Sequence, residues 1–158
     1  MLKYTDTKIV FREVPDEISL AINISGCPCR CEGCHSPQLR EDIGAPLTTQ
    51  ALDRLIEDNP GITCICFMGG DAHPEEILTL AAHVKGNTHL KTCWYSGKDV
   101  RCCAEIMLKL DYYKTGHYDH RYGPLDSTTT NQRFYRIRRV DQSHVISMED
   151  ITYRFYNS

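Results

Sequence analysis

Ile62-Thr63-Cys64-Ile65-Cys66-Phe67-Met68 is a run of seven residues with one polar member, stopped before it by Asn59-Pro60-Gly61 and after it by Gly69-Gly70-Asp71. It is apolar on both faces, which fits a parallel strand buried between layers. On its N-terminal side, Thr48 or Thr49 can cap a helix that carries Leu52, Leu55 and Ile56 and ends at Asn59-Pro60-Gly61. On its C-terminal side, Pro74 opens a helix to Lys85 with Ile77, Leu78, Ala81 and Val84 inward and Gly86 as the stop.

Leu90 to Tyr95 is the next strand, closed by Ser96-Gly97. Asp99 can cap a further helix with Val100, Cys103, Ile106, Met107 and Leu110 on one face. Asp111 to Thr115 is a short strand ending at Gly116. Upstream, residues 8–13 and 18–25 read as strands around a Val14-Pro15-Asp16-Glu17 turn; in the second, Ile18, Leu20, Ile22 and Ile24 alternate with smaller or polar residues. Downstream, a polar loop from His117 to Gln132 precedes a strand at Phe134 to Val140, and Ile151 to Tyr156 reads as one more. Strand and helix in repetition predict an α/β domain with a mainly parallel sheet. No repeat, linker or low-complexity segment interrupts it, so residues 1–158 are expected to form a single domain.

A formal charge of -3 over 158 residues gives no electrostatic reason to bind nucleic acid. No run of 18 apolar residues exists, so no spanning helix and no membrane partner are expected. Lys3, Asp6 and Lys8 interrupt the stretch where a secretion signal needs an apolar run. Nine cysteines is an odd number, and several lie in apolar segments, which fits poorly with a secreted disulfide framework. A reducing cytoplasm is the expected setting, where clustered cysteines point to metal or catalysis.

The cluster is Gly26-Cys27-Pro28-Cys29-Arg30-Cys31-Glu32-Gly33-Cys34-His35. Cys27, Cys31 and Cys34 have the spacing C-x3-C-x2-C, three thiolates on a short loop bent by Pro28 and Gly33. Three thiolates can hold three irons of a [4Fe-4S] cluster and leave the fourth open, whereas electron-transfer clusters use four cysteines. Zinc is the rival metal, with Cys29 or His35 completing four ligands, yet the usual second C-x2-C pair is missing. Cys64, Cys66, Cys93 and Cys103 read as small apolar core residues.

The cysteine loop, Gly69-Gly70-Asp71, Ser96-Gly97 and Gly116-His117 each follow an expected strand. In α/β sheets the ligand site lies at the carboxyl ends of the strands, so all four open onto one face. Two glycines let a ligand approach the main chain, and Asp71 offers a carboxylate to a ligand ammonium; an ordinary turn is the competing reading. Arg133, Arg136, Arg138 and Arg139 are a basic cluster, read as a solvated strand face or a docking surface. His117 and His120 amid Tyr112, Tyr113, Tyr118 and Tyr122 read as a polar rim loop in preference to a metal or stacking site.

C-x3-C-x2-C resembles the signature of the radical S-adenosylmethionine enzymes. The context G-C-P-x-x-C-x-G-C-H is similar to the subgroup that activates anaerobic ribonucleotide reductase. Gly69-Gly70-Asp71 resembles that superfamily's G-G-E/D motif. Lys91-Thr92-Cys93-Trp94-Tyr95-Ser96-Gly97 and residues 123–133, Gly-Pro-Leu-Asp-Ser-Thr-Thr-Thr-Asn-Gln-Arg, also look like segments of the subgroup. The likeness spans roughly residues 20 to 139; it departs at the lead-in, where Pro15-Asp16-Glu17 stands in place of a Pro-Gly turn.

The resemblance implies a partial, open β/α barrel of the radical S-adenosylmethionine type. It implies Cys27, Cys31 and Cys34 as cluster ligands, Gly69, Gly70 and Asp71 at the methionine end of S-adenosylmethionine, and Gly33, Cys34 and His35 at the cofactor site. The implied reaction is reductive cleavage of S-adenosylmethionine to a 5'-deoxyadenosyl radical, which generates a glycyl radical on the anaerobic ribonucleoside-triphosphate reductase. A one-electron donor such as a flavodoxin-type protein is implied as well. A full barrel needs about 250 residues, so this chain can form only part of one, and a large partner is expected to cover the open side. An activase for another glycyl-radical enzyme such as pyruvate formate-lyase, an iron-sulfur electron carrier and a zinc module are the competing expectations.

These ligand sets separate cleanly. With three cysteine ligands, Cys29→Ala retains the iron and sulfide of the anaerobically reconstituted protein and Cys31→Ala loses them; loss in both variants would mean a four-cysteine cluster.

Overall fold

The computed structural model describes residues 1–26, 43–98, 104–139 and 145–156. Its strands are β1 (Lys3–Val10), β2 (Ser19–Ile24), β3 (Ala45–Pro46), β4 (Cys64–Met68), β5 (Lys91–Tyr95), β6 (Tyr112–Thr115), β7 (Arg133–Arg139) and β8 (Val145–Asp150). Its α-helices are α1 (Thr49–Asp58), α2 (Pro74–Asn87) and α3 (Ala104–Lys109), and a 3-10 turn covers Thr152–Phe155. The strands form one mixed sheet in the order β3-β1-β2-β4-β5-β6-β7-β8.

The centre of that sheet is parallel: β2 pairs with β4, β4 with β5, and β5 with β6. The flanks are antiparallel, β1 on β2 and β3 at one side, β7 on β6 and β8 at the other. The sheet is therefore less parallel than its alternating elements predict. A parallel partner needs a crossover, usually a helix, and among the described residues 116–132 hold only turns, so β7 returns antiparallel.

The two faces differ in the size of their side chains. Leu20, Ile22, Ile65, Phe67, Trp94 and Tyr113 form one core cluster with Leu52 of α1, Ile77, Leu78, Ala81 and Val84 of α2, and Ile106 of α3. All three helices thus cover one face, as right-handed crossovers running one way across a sheet require. The opposite face carries Ser19 and Ala21 on β2, Cys64 and Cys66 on β4, and Cys93 on β5, in matching register. Val14, Phe134 and Ile151 close over these small side chains.

Local chemistry sets the element ends. The Thr48 hydroxyl accepts the Ala51 N–H at 3.1 Å and starts α1 where expected. Helix α2 runs past Gly86 to Asn87, because Thr88 donates both its N–H (2.9 Å) and its hydroxyl (2.7 Å) to the Val84 carbonyl and supplies the stop itself. Strand β1 occupies residues 3–10 instead of 8–13, because its length follows its pairing with β2 from Tyr4↔Ile24 to Val10↔Ser19 rather than any apolar pattern. The last strand ends before Ile151: Asp150 accepts the N–H (3.0 Å) and hydroxyl (2.6 Å) of Thr152 and starts a helical turn there.

At the lead-in, Asp16 takes φ 68°, and Glu17 N–H closes the turn on the Val14 carbonyl at 3.2 Å. Aspartate is tolerated in this left-handed region, so the turn forms without a glycine. Arg154 holds its carboxylate at 2.9 and 3.0 Å. Cys103, Asp99 and Val100, expected on the helix before β6, lie outside the described residues.

Phe67 is fully buried and Ile9 is 41% exposed. Phe67→Ala is therefore expected to lower unfolding free energy by about 3–5 kcal/mol, and Ile9→Ala by at most about 0.5 kcal/mol, measured by urea titration.

Candidate functional site

Because β2, β4, β5 and β6 are parallel, their carboxyl ends meet one rim, and Gly26, Gly69-Gly70-Asp71, Ser96-Gly97 and Gly116-His117 all leave from it. The cysteine stretch begins directly after Gly26. Cys27, Cys31, Cys34, Gly33 and His35, together with Cys29, lie outside the described residues. The residues flanking that stretch are fixed: Ser25 N–H donates to the Lys3 carbonyl at 3.0 Å, and the Ser25 hydroxyl donates to the Ile43 carbonyl. The chain thus leaves for the cysteines and is met again at one point of the rim.

At the β4 exit, Gly69 and Gly70 have φ of 103° and 92°. A Cβ on Gly69 would lie 3.2 Å from the Ile24 carbonyl oxygen, and one on Gly70 would lie 2.6 Å from Cδ1 of Ile77. Glycine is required here by conformation and by packing, whatever ligand the turn meets. The Gly69 carbonyl accepts the Trp94 indole N–H at 2.7 Å, and the Gly70 carbonyl accepts the His73 N–H at 3.0 Å. Among the described residues each accepts one hydrogen bond, and a carbonyl oxygen can take a second.

Asp71 is 6% exposed, and its carboxylate is engaged inside the rim. Oδ1 accepts the Ser96 hydroxyl at 2.5 Å and Oδ2 accepts the Gly97 N–H at 2.8 Å. The side chain expected to face a ligand ammonium therefore also ties the β4 exit to the β5 exit. Lys114, 7% exposed, continues the network: Nζ donates to the Ser96 carbonyl at 3.1 Å and the Gly116 carbonyl at 2.8 Å. The Gly116 N–H donates to the Lys98 carbonyl at 2.6 Å. The sequence signal for Lys114 is a cation inside the strand expected at Asp111 to Thr115.

On the face away from the helices, a cleft of about 630 Å³ lies between Glu13, Tyr95, Pro124, Leu125, Phe155 and Tyr156. The Tyr95 hydroxyl donates to the Glu13 carbonyl across its floor. Two segments singled out by sequence, 91–97 and 123–133, thus meet at the cleft through Tyr95 and Pro124-Leu125.

Other sequence features separate. Tyr112 and Tyr113 are buried on opposite faces while His117 and His120 are exposed, so these residues form no joint site. Arg136 and Arg138 face Glu149, and Arg133 faces Asp150, across the β7–β8 pairing. The Arg136 hydrogen bond holds the Glu149 carboxyl below its ordinary value. Among the described residues His73, Glu75 and Glu76 converge at the exposed start of α2; negative side chains there also suit the helix dipole.

Cys64, Cys66 and Cys93 are fully buried. Burial pushes the Cys64 and Cys93 thiols, and the Tyr95 phenol, well above their ordinary values. They are packing residues, as expected from their place on strands.

Residues 18–133 match the family model described as 4Fe-4S single cluster domain. Neither a curated protein nor a solved structure matches the chain. No helix among the described residues is long and apolar enough to cross a membrane.

The raised thiols fix an alkaline limit. The folded chain keeps protons that the unfolded chain releases near 9.0, so this stabilisation is complete below that pH and is lost as pH climbs from there through the raised folded values. Urea titrations at successive pH are expected to show stability falling above pH 9.0, less steeply in Cys93→Ala.

Proposed function

The chain belongs to the 4Fe-4S single cluster domain family, and we propose that this iron-sulfur protein is a radical S-adenosylmethionine enzyme that activates the anaerobic ribonucleoside-triphosphate reductase. The observation that carries the reading is the shared rim: the segment bearing C-x3-C-x2-C departs from the same strand ends as the diglycine turn and the Ser96-Gly97 turn. The sequence context of Cys27, Cys31 and Cys34, with Gly69-Gly70-Asp71 and residues 123–133, supplies the rest by resemblance.

In this reading Cys27, Cys31 and Cys34 hold a [4Fe-4S] cluster with one open iron, and Gly33, Cys34 and His35 border the cofactor. The cluster and S-adenosylmethionine together supply one-electron cleavage of the sulfonium to a 5'-deoxyadenosyl radical. The protein's part is binding and orientation. The Gly69 and Gly70 carbonyls would accept the methionine ammonium, with Asp71 adding negative charge behind them while fixing the Ser96-Gly97 turn. Trp94 holds the Gly69 carbonyl by its indole N–H, so the turn cannot rotate without breaking a partly buried hydrogen bond.

Among the described residues the three α-helices lie on one face of the sheet, an arrangement we read as part of a β/α barrel. The cleft on the opposite face, beside Tyr95, is of ligand size. We assign the cleft on that face to the reductase, whose docking would keep water from the radical, with a flavodoxin-type protein as the electron donor.

Anaerobic reconstitution with iron and sulfide, followed by S-adenosylmethionine and dithionite, is expected to yield 5'-deoxyadenosine. Adding the reductase is expected to give a glycyl signal by electron paramagnetic resonance. Product without that signal, but with one on pyruvate formate-lyase, would reassign the partner; a cluster that yields no 5'-deoxyadenosine would leave an electron carrier, and zinc without iron or sulfide a zinc module.

A further inference from the structure

Lys114 is a charged side chain buried in β6, a strand covered on both faces, with Tyr95 and Phe134 as its Cα neighbours on β5 and β7. A strand position of this kind ordinarily takes an apolar residue, and burying an ammonium is costly unless its donors are met. Here Nζ donates to two carbonyls, Ser96 O on the β5 exit and Gly116 O on the β6 exit. It also sits 5.9 Å from the centre of the Tyr95 ring, within cation–π reach. Ser96 in turn donates its hydroxyl to Asp71 on the β4 exit. One buried cation and one buried anion, joined through Ser96, therefore span three of the four loops that leave the rim.

We propose that Lys114 is a positioning residue for S-adenosylmethionine: by clamping the Ser96 and Gly116 carbonyls it holds the β5 and β6 exits against Asp71 and keeps the diglycine turn in its binding arrangement. The proposal rests on the S-adenosylmethionine reading above. A methionine side chain fills nearly the same space as lysine but donates nothing, so Lys114→Met removes the clamp and keeps the packing. Leu or Met would serve if the position mattered only to the core, since nothing in strand packing calls for a cation.

The test uses the full chain reconstituted anaerobically, with iron and sulfide content measured first. S-adenosylmethionine affinity is then measured by equilibrium dialysis, and amide hydrogen exchange is followed at Gly97 and Gly116. For Lys114→Met the expected result is parental iron and sulfide, faster exchange at both amides, and affinity about tenfold weaker, the scale of one lost hydrogen bond to a charged group. Ser96→Ala is expected to weaken affinity in the same direction, and the double variant to fall short of the sum of the two. Affinity within twofold of the parent, or unchanged exchange at Gly97 and Gly116, would overturn the proposal. Should Lys114→Met fail to fold, Ser96→Ala decides alone, and parental affinity there overturns it. A folded, cluster-loaded parent that binds no S-adenosylmethionine would sink the reading beneath it, a result distinct from a parent that binds and a variant that binds equally well.

Discussion

Parallel pairing of β2, β4, β5 and β6 is the constraint from which the rest follows. Parallel neighbours cannot be joined by a tight turn, so each connection must cross back over the sheet. Because the strands are added in sequence order toward one side, the crossovers share a direction and their helices share a face. What remains is a second face with no α-helix among the described residues and one rim where four successive exits gather. The cysteine stretch starts from the same rim as the diglycine turn, because β2 and β4 are parallel neighbours.

Side-chain size then divides labour between the faces. Bulky residues of β2, β4 and β5 (Ile22, Phe67, Trp94) meet the helices, while Cys66 and Cys93 at adjacent positions leave room on the other face for Val14, Phe134 and Ile151 to pack. The cysteines accordingly fall into two chemical groups. Cys64, Cys66 and Cys93 are packed into a core that disfavours their thiolates. Cys27, Cys31 and Cys34 lie outside the described residues, in a stretch whose sequence spaces three thiols among Pro28 and Gly33.

The regular elements were readable because their signals are local. Thr48 announces α1 by its hydroxyl, and the doubly apolar Cys64–Met68 announces a buried parallel strand. Elements defined by their neighbours were harder. Strand β1 is polar because little of it is buried, and its bounds come from β2; the C-terminal turn begins where Asp150 happens to meet Thr152. Gly86 misled because a glycine can sit in a helix when another residue caps it. At the site, glycines and carboxylate were visible as a motif, but their bonding was not. That Asp71 is bonded to Ser96 and Gly97, and that Lys114 completes the chain of contacts, depends on loops far apart in sequence.

The central claim is a cluster with three protein ligands whose fourth iron faces this rim. Mössbauer spectra of the protein reconstituted with iron-57, taken before and after addition of S-adenosylmethionine, address it most directly. The account predicts that one iron of the four changes its isomer shift on addition while three keep a thiolate-ligated signature. Four equivalent thiolate-ligated irons, unmoved by S-adenosylmethionine, would contradict it.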